Sequence, residues 1–182
     1  MPLTAIHKSN DFNVIVSTLD YESADKIREA FAVGSLFCPF CDCPMFPRSS
    51  VYKVPHFVHK RQNSCSSSGE TYQHLFAKHK LAEQLREANP NDIITVEHRI
   101  PTLLSYRIID VAQNKNGYLI AHEIQLSPIT VEELQQRVND YTQQGIESIW
   151  YFGETNAKNK AIKEYCYIKD VNAFILGFKT DY

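Results

Sequence analysis

The stretch Arg107-Ile-Ile-Asp110-Val-Ala-Gln-Asn-Lys-Asn116-Gly117-Tyr-Leu-Ile-Ala-His-Glu123-Ile-Gln125 decides the reading of this chain. Two apolar runs flank Asn116-Gly117, and Asn-Gly is the strongest short hairpin signal because both residues tolerate the positive φ of a type I′ turn. The pattern predicts strands over Arg107 to Gln113 and Tyr118 to Gln125. A two-residue loop would pair Lys115 with Tyr118 and set Asp110 directly opposite Glu123. A four-residue loop would make the carboxylates diagonal neighbours on the same face, whereas a three-residue loop would split them across the sheet. Gln125 shares the face of Glu123, since side chains two apart in a strand point the same way. Ile109, Val111, Ile120 and Ile124 make the opposite face an apolar surface.

Upstream, Asp92 to Ile100 reads as a further strand. Before it a helix is expected from Thr71 to Ala88, stopping ahead of Asn89-Pro90 because proline disfavours helical geometry in the preceding residue. His74, Lys78, Leu81 and Leu85 fall on one face of that helix, the leucines pointing inward. Downstream, Thr130 and Glu133 form a capping box, Ile129 and Leu134 a hydrophobic staple, and Gly145 a C-terminal stop. Val131, Leu134, Val138 and Tyr141 make the buried stripe of this second helix, with Arg137 one turn before Tyr141. A strongly apolar strand, Ser148 to Phe152, follows. This order predicts a mixed α/β sandwich with a helix on each side of a central sheet; residues 161–182 carry no decisive pattern. Nearer the start, Asn13 to Val16 and Ser35 to Phe37 suggest strands and Tyr21 to Ala32 a helix. The segment Ser64-Cys65-Ser66-Ser67-Ser68-Gly69 is the one candidate linker, dividing the chain into an N-terminal module, 1–68, and a second domain, 69–182.

The 182 residues suit one domain with a small appended module, and a composition of 43% hydrophobic and 22% charged residues excludes collagen-like, disordered and coiled-coil classes. No apolar run is long enough to span a bilayer, and Met1-Pro2-Leu3-Thr4 does not begin a secretion signal, so a cytoplasmic protein is expected. The net charge of -2 hides a polarity. Residues 38–80 hold six basic residues (Arg48, Lys53, Lys60, Arg61, Lys78, Lys80) against two acids (Asp42, Glu70), a net of +4. The remainder has 13 basic and 19 acidic residues, a net of -6. One end can therefore meet phosphates while the rest stays soluble.

Four of five cysteines crowd between Cys38 and Cys65, which in a reducing compartment reads as metal ligation rather than disulfide bonding. Cys38-Pro-Phe-Cys41 lets two thiolates grip one ion from a tight turn, and His56-Phe-Val-His59 followed by Cys65 supplies the second pair of donors that tetrahedral zinc favours. The expected set is Cys38, Cys41, His59 and Cys65, with His56 and Cys43 as substitutes; the plainer reading is buried thiols and core histidines.

Like charges opposite each other repel, so Asp110 and Glu123 need a compensating partner. Carboxylate oxygens are hard donors suited to Mg²⁺ or Mn²⁺, and such an ion can activate water against a phosphodiester. Gln125 could orient that water, and His74 and Lys78 could meet the phosphate. Solvated surface acids are the ordinary alternative, but the apolar neighbours of Glu123-Ile-Gln125 argue against it.

With both constellations in view, the chain resembles the competence protein CoiA-like nuclease family, a variant of the PD-(D/E)XK restriction-endonuclease-like fold. The resemblance runs from Phe37 to Trp150: Cys38-Pro-Phe-Cys41, Pro55-His56-Phe57-Val58-His59, Cys65, Glu70-Thr71-Tyr-Gln-His74, Lys78, Asp110-Val111, Glu123-Ile-Gln125-Leu-Ser127, Arg137, Tyr141, Gly145 and Trp150. It implies a three-layer core behind a small zinc-binding β-rich module, with Asp110 and Glu123 on the catalytic metal. Glu70, Arg137 and Tyr141 would be accessory. Gln125 stands where that fold usually has lysine, which removes a cation that Lys78 could replace. The resemblance further implies handling of incoming or foreign DNA, single- or double-stranded, in competence, recombination or defence, alongside other DNA-processing proteins. The alternative is an inactive DNA-binding or protein-bridging module on the same fold.

Overall fold

A computed structural model of the chain describes residues 2–9, 12–49, 54–60, 65, 70–102 and 105–177. Residues 64 and 66–69 of the expected linker, together with Lys53 and Arg61, lie outside these. Two compact units emerge, Met1–Gln84 and Leu85–Tyr182, with the division falling inside helix α2 (Tyr72–Ala88).

In the first unit, strand β1 (Thr4–Lys8) lies antiparallel between β2 (Asn13–Ser17) and β3 (Leu36–Phe37). Helix α1 (Ala24–Ala30) is shorter than the expected Tyr21 to Ala32. A 3-10 turn over Thr18–Asp20 comes first, and the Ser23 hydroxyl accepts from the Lys26 N–H to start the helix late. Strands β4 (Met45–Ser49) and β5 (Pro55–His59) form a separate antiparallel pair. Ala5, Val16, Ile27, Leu36, Met45 and Phe57 bury one core, and Cys38 belongs to it. Along α2 the buried residues are Leu75, Ala77, Lys78, His79 and Ala82, while Leu81 and Leu85 are half-buried. The inward stripe is thus rotated from the expected one, and of its four members only Lys78 is fully buried.

The second unit is a five-stranded sheet in the order β10-β9-β8-β7-β6. Strands β6 (Ile93–Pro101), β7 (Tyr106–Lys115) and β8 (Tyr118–Gln125) run antiparallel to one another in turn. Strands β9 (Glu147–Phe152) and β10 (Asn172–Ile175) continue parallel to β8. Helix α3 (Val131–Thr142) makes the crossover from β8 to β9; α4 (Glu154–Lys158) follows β9, and most of α5 (Lys160–Ile168), with β10, occupies the segment 161–182 that carried no decisive pattern. Lys115 pairs with Tyr118, so the hairpin has the two-residue loop; Asn116 and Gly117 take φ of 52° and 92°, as a type I′ turn requires.

The α3 signals are all realised. Thr130 accepts from the Glu133 N–H, the Glu133 carboxylate returns to the Thr130 N–H, and Gly145 sits at φ 68° beyond the helix end. Leu134 and Tyr141 are fully buried in one core with Ile109, Ala112, Ala121, Ile129, Trp150, Phe152 and Ile162, with Val131 and Val138 at its margin. Both faces of the mid-sheet are therefore covered: Ala112 and Ala121 share the carboxylate face, and Val111 and Ile124 are buried on the other. The mixed α/β class, with a small cysteine-bearing β-rich module ahead of it, is as expected. Among the described residues, no helix is long and apolar enough to cross a membrane, a statement that does not concern strands.

Candidate functional site

The paired rungs of β7 and β8 end at Val111 and His122. Beyond that rung β7 continues along β6 while β8 continues along β9, so the two strands part with Asp110 and Glu123 as the first residues at the fork. An Asp110 carboxylate oxygen, Oδ2, accepts from the Ile124 N–H at 2.9 Å, filling the place of the lost ladder bond with a side chain.

Glu123 has no solvent exposure. Its position on a strand facing α3 puts it against Arg137 and Tyr141, which share a face of that helix through their four-residue spacing. The Tyr141 hydroxyl donates to Oε1 of Glu123, and Arg137 Nη2 donates to Oε2. The other arm of the same guanidinium, Nη1, donates to Gln125 Oε1 at 3.0 Å. The Gln125 amide donates onward to the Ser127 carbonyl at 2.8 Å and hydroxyl at 3.0 Å. One planar fork thus holds both outer residues of Glu123-Ile-Gln125, a geometry that lysine's point charge could not reproduce. Arg137 also lies over the Trp150 ring at 4.8 Å.

Burial alone would lower the pKa of Arg137, but Glu123, with Tyr141 and Asp110, reverses this and raises it. Burial, and then the Glu123 charge, push the Tyr141 phenol upward, so it remains a donor. The cation that meets the carboxylate pair is supplied by the chain itself. The sequence left open whether Arg137 and Tyr141 reach this site or simply pair and pack; both reach Glu123. Sequence reasoning missed Arg107, which pairs with Asp140 at 2.7 Å and lines a cavity of about 380 Å³ with Gln125, Ser127 and Arg137. The available signal was Asp140, three residues after Arg137 on the same helix.

Glu70, His74 and Lys78 form a second polar cluster, in the first unit. Glu70 Oε1 accepts from Lys78 Nζ at 2.6 Å and from His74 Nδ1 at 2.7 Å. Burial would raise the Glu70 pKa, yet Lys78 and His74 outweigh it and hold the carboxyl below its usual range. The charge of Lys78, itself buried, is thus directed at Glu70.

Cys38, Cys41, His59 and Cys65 bring their ligand atoms within 4.8 Å of one another. Cys38 and Cys65 sulfurs are 3.8 Å apart, far beyond a bond yet close to the edge of a tetrahedron with zinc–sulfur distances of about 2.3 Å. Cys41 Sγ and His59 Nε2 are 3.2 Å apart. Without an ion, burial and the neighbouring thiols push Cys41 up to about 12, and burial lowers His59. The donor set fits structural zinc. The substitutes are not part of it. His56 precedes His59 by three residues on β5 and so takes the opposite face, where its Nδ1 donates to the Val54 carbonyl at 3.1 Å. Cys43 lies beside Cys41 but outside the four.

The donor chemistry of Asp110 and Glu123 also suits a divalent ion. Each Glu123 oxygen accepts a hydrogen bond, from Tyr141 and from Arg137, and a carboxylate oxygen has a second lone pair to offer.

Comparison with known proteins assigns the class first. Residues 70–179 match the family described as Competence protein CoiA, nuclease-like domain, and residues 19–68 match Competence protein CoiA, N-terminal domain. The chain belongs to this CoiA family. It is 29% identical to the competence protein CoiA of Bacillus subtilis (strain 168) over 131 residues, which is 71% of this chain and 34% of that relative. The chain thus matches about a third of the relative's length. A solved protein of unknown function is a distant likeness, with a TM-score of 0.44 and 15% identity over 59% of this chain and 60% of its own.

Proposed function

We propose that this chain is a metal-dependent nuclease that hydrolyses DNA phosphodiester bonds, serving the processing of incoming or foreign DNA in competence or a related pathway. The observation that carries this reading is the fork between β7 and β8, where two carboxylates from adjacent strands stand beside Gln125 and Arg137. In this reading Asp110 and Glu123 hold Mg²⁺ or Mn²⁺, which supplies Lewis-acid polarisation of the phosphate and a water of lowered pKa. Gln125 orients the water, and the Arg107 and Arg137 cavity receives the phosphate, where a guanidinium meets developing negative charge. His74 and Lys78, tied to Glu70, brace the α2 end of the protein. The zinc cluster holds the N-terminal module in shape, and the basic excess of residues 38–80 attracts the DNA backbone. The competence role rests on the family and on the name of the Bacillus relative.

A second reading, binding to DNA without cutting it, is favoured by one observation: Arg137 and Tyr141 occupy both oxygens of Glu123. Incubation with single- and double-stranded DNA in Mg²⁺ or Mn²⁺ separates the two. Cleavage reduced by roughly 10²-fold or more in both Asp110→Ala and Glu123→Ala is the expected result. Cleavage that survives both substitutions removes this site, and retention of DNA without cleavage establishes the second reading.

A further inference from the structure

Asn156, on α4 just past β9, is a buried polar side chain with no role in the nuclease reading above. Its amide is fully engaged with the turn that follows β8. Nδ2 donates to the Gln125 carbonyl at 3.0 Å and to the Ser127 carbonyl at 2.7 Å, and Oδ1 accepts from the Ile129 N–H at 3.1 Å. The Gln125 carbonyl also accepts from the Gly153 N–H at 3.0 Å, and the Ser127 carbonyl from the Gln125 side-chain amide at 2.8 Å. Each of these two oxygens thus has both lone pairs filled. We propose that Asn156 is a positioning residue for the fork: by gripping the Ser127 carbonyl it fixes the Gln125 side chain with its nitrogen held in the turn and its oxygen presented beside Arg137. The inference rests on the nuclease reading and adds to it the residue that orients Gln125.

Three features carry this assignment. First, a carbonyl only accepts and a guanidinium only donates, so Gln125 can turn only its nitrogen to Ser127 and only its oxygen to Arg137. Arg137 fills one lone pair of that oxygen. The other is open, among the described residues, to a hydrogen bond from the attacking water. Second, asparagine supplies two donors and one acceptor from a single short side chain. An aspartate would set a carboxylate against two carbonyl oxygens, and an apolar residue would orphan the buried Ile129 N–H and loosen both carbonyls. Third, the turn is held closely from Gly153 as well, where a Cβ would come within 3.1 Å of the Leu126 Cα and 3.2 Å of its carbonyl oxygen. What separates Asn156 from a plain brace is the Ser127 carbonyl, the one acceptor on which its side chain and that of Gln125 meet. A shift of the turn therefore passes directly to Gln125.

The test combines DNA cleavage kinetics in Mn²⁺ with the side-chain amide resonances of Gln125, both in the full-length protein. Asn156→Asp should lower kcat about tenfold or more while KM for DNA stays within about threefold, because the group it displaces acts on the reacting water rather than on capture. Gly153→Ala is an independent push on the same turn: it removes no hydrogen bond, and its φ of -66° suits any residue, so only the contact with Leu126 changes. It should lower kcat in the same sense. Thr130→Ala, which weakens the cap of α3 without touching Gln125, is the structural control and should leave kcat unchanged while the protein is folded. The Gln125 Nε2 resonances should move in the first two variants and not in the third. Wild-type kcat in Asn156→Asp and Gly153→Ala with unmoved resonances overturns the proposal and leaves the nuclease reading standing. So does an equal loss of kcat in Thr130→Ala, which would make Asn156 a general brace. Wild type that cuts no DNA removes the nuclease reading; moved resonances then still support the hold on Gln125, and unmoved ones overturn it. Should both turn variants fail to fold, the wild type decides: a Gln125 amide that rotates freely on the nanosecond timescale overturns the proposal, and an ordered one supports it.

Discussion

A buried carboxylate persists only where its charge is met, and Glu123 is met from one helix by a guanidinium and a phenol. Its neighbour His122 solves the opposite problem on the opposite face. There Nε2 donates to Gln113 Oε1 at 3.0 Å and Nδ1 accepts from the Tyr151 hydroxyl at 3.1 Å, an arrangement that fixes a neutral ring. Burial holds its pKa down at about 4. The unfolded chain takes up this proton near pH 6.5, whereas the folded chain refuses it until about 4, so acid favours unfolding in between. The contribution is fully present above pH 6.5 and declines as pH falls toward 4, by up to about 3 kcal/mol. Urea midpoints measured at pH 7 and pH 4.5 should show the wild type losing about 2 kcal/mol more than His122→Gln between the two conditions. Parallel losses in the two proteins would assign the acid sensitivity to other groups, such as His56 and His59, whose pKa values burial also lowers.

At the scale of elements, what was legible is what local chemistry specifies. The α3 helix announced itself through Thr130, Glu133, Ile129, Leu134 and Gly145, every one of which acts within a turn or two of its own position. Loss of the cap in Thr130→Ala should cost about 1 kcal/mol of stability in urea unfolding. A cost near zero would mean that core packing alone sets where α3 begins. Likewise Asn116-Gly117 narrowed the hairpin to a few registers, and the two-residue loop selected among them the one that places Asp110 beside Glu123. Strands β4 and β5 were not legible because they contain Pro47 and Pro55, which read as strand breakers. The α2 stripe was misplaced for a different reason. Periodicity put Leu81 and Leu85 inside with Lys78, but the helix is turned so that Leu75, Ala77, His79 and Ala82 are buried beside Lys78, whose charge Glu70 meets. Arg137 and Tyr141 were seen to share a helix face; that this face lies on Glu123 depends on how α3 crosses the sheet, which no local pattern encodes.

For the whole molecule, the question is what keeps the N-terminal unit folded. The cluster around its cysteines is modest, with seven buried residues from short strands and one short helix, and Cys38 is among them while Cys41 and Cys65 pack against it. A domain of this kind gains much of its stability from a structural ion, because the ligand atoms do not assemble in the unfolded chain. The thiols must also lose their protons to bind: Cys41, at about 12 without an ion, becomes a thiolate only in the field of the metal. Zinc uptake should therefore release protons into solution, and the affinity should fall steeply as pH is lowered. Metal analysis of the purified protein should find about one zinc per chain. Removing it with a chelator, or substituting Cys38→Ser, should expose the amides of residues 36–48 and 55–59 to hydrogen exchange, while those of β7, β8 and β9 keep their protection. If the chelated protein retained full protection across the cysteine-bearing segments, or if the folded protein held no zinc, the four ligands would be an incidental cluster of core residues. In that case the small hydrophobic core would have to hold the unit together unaided.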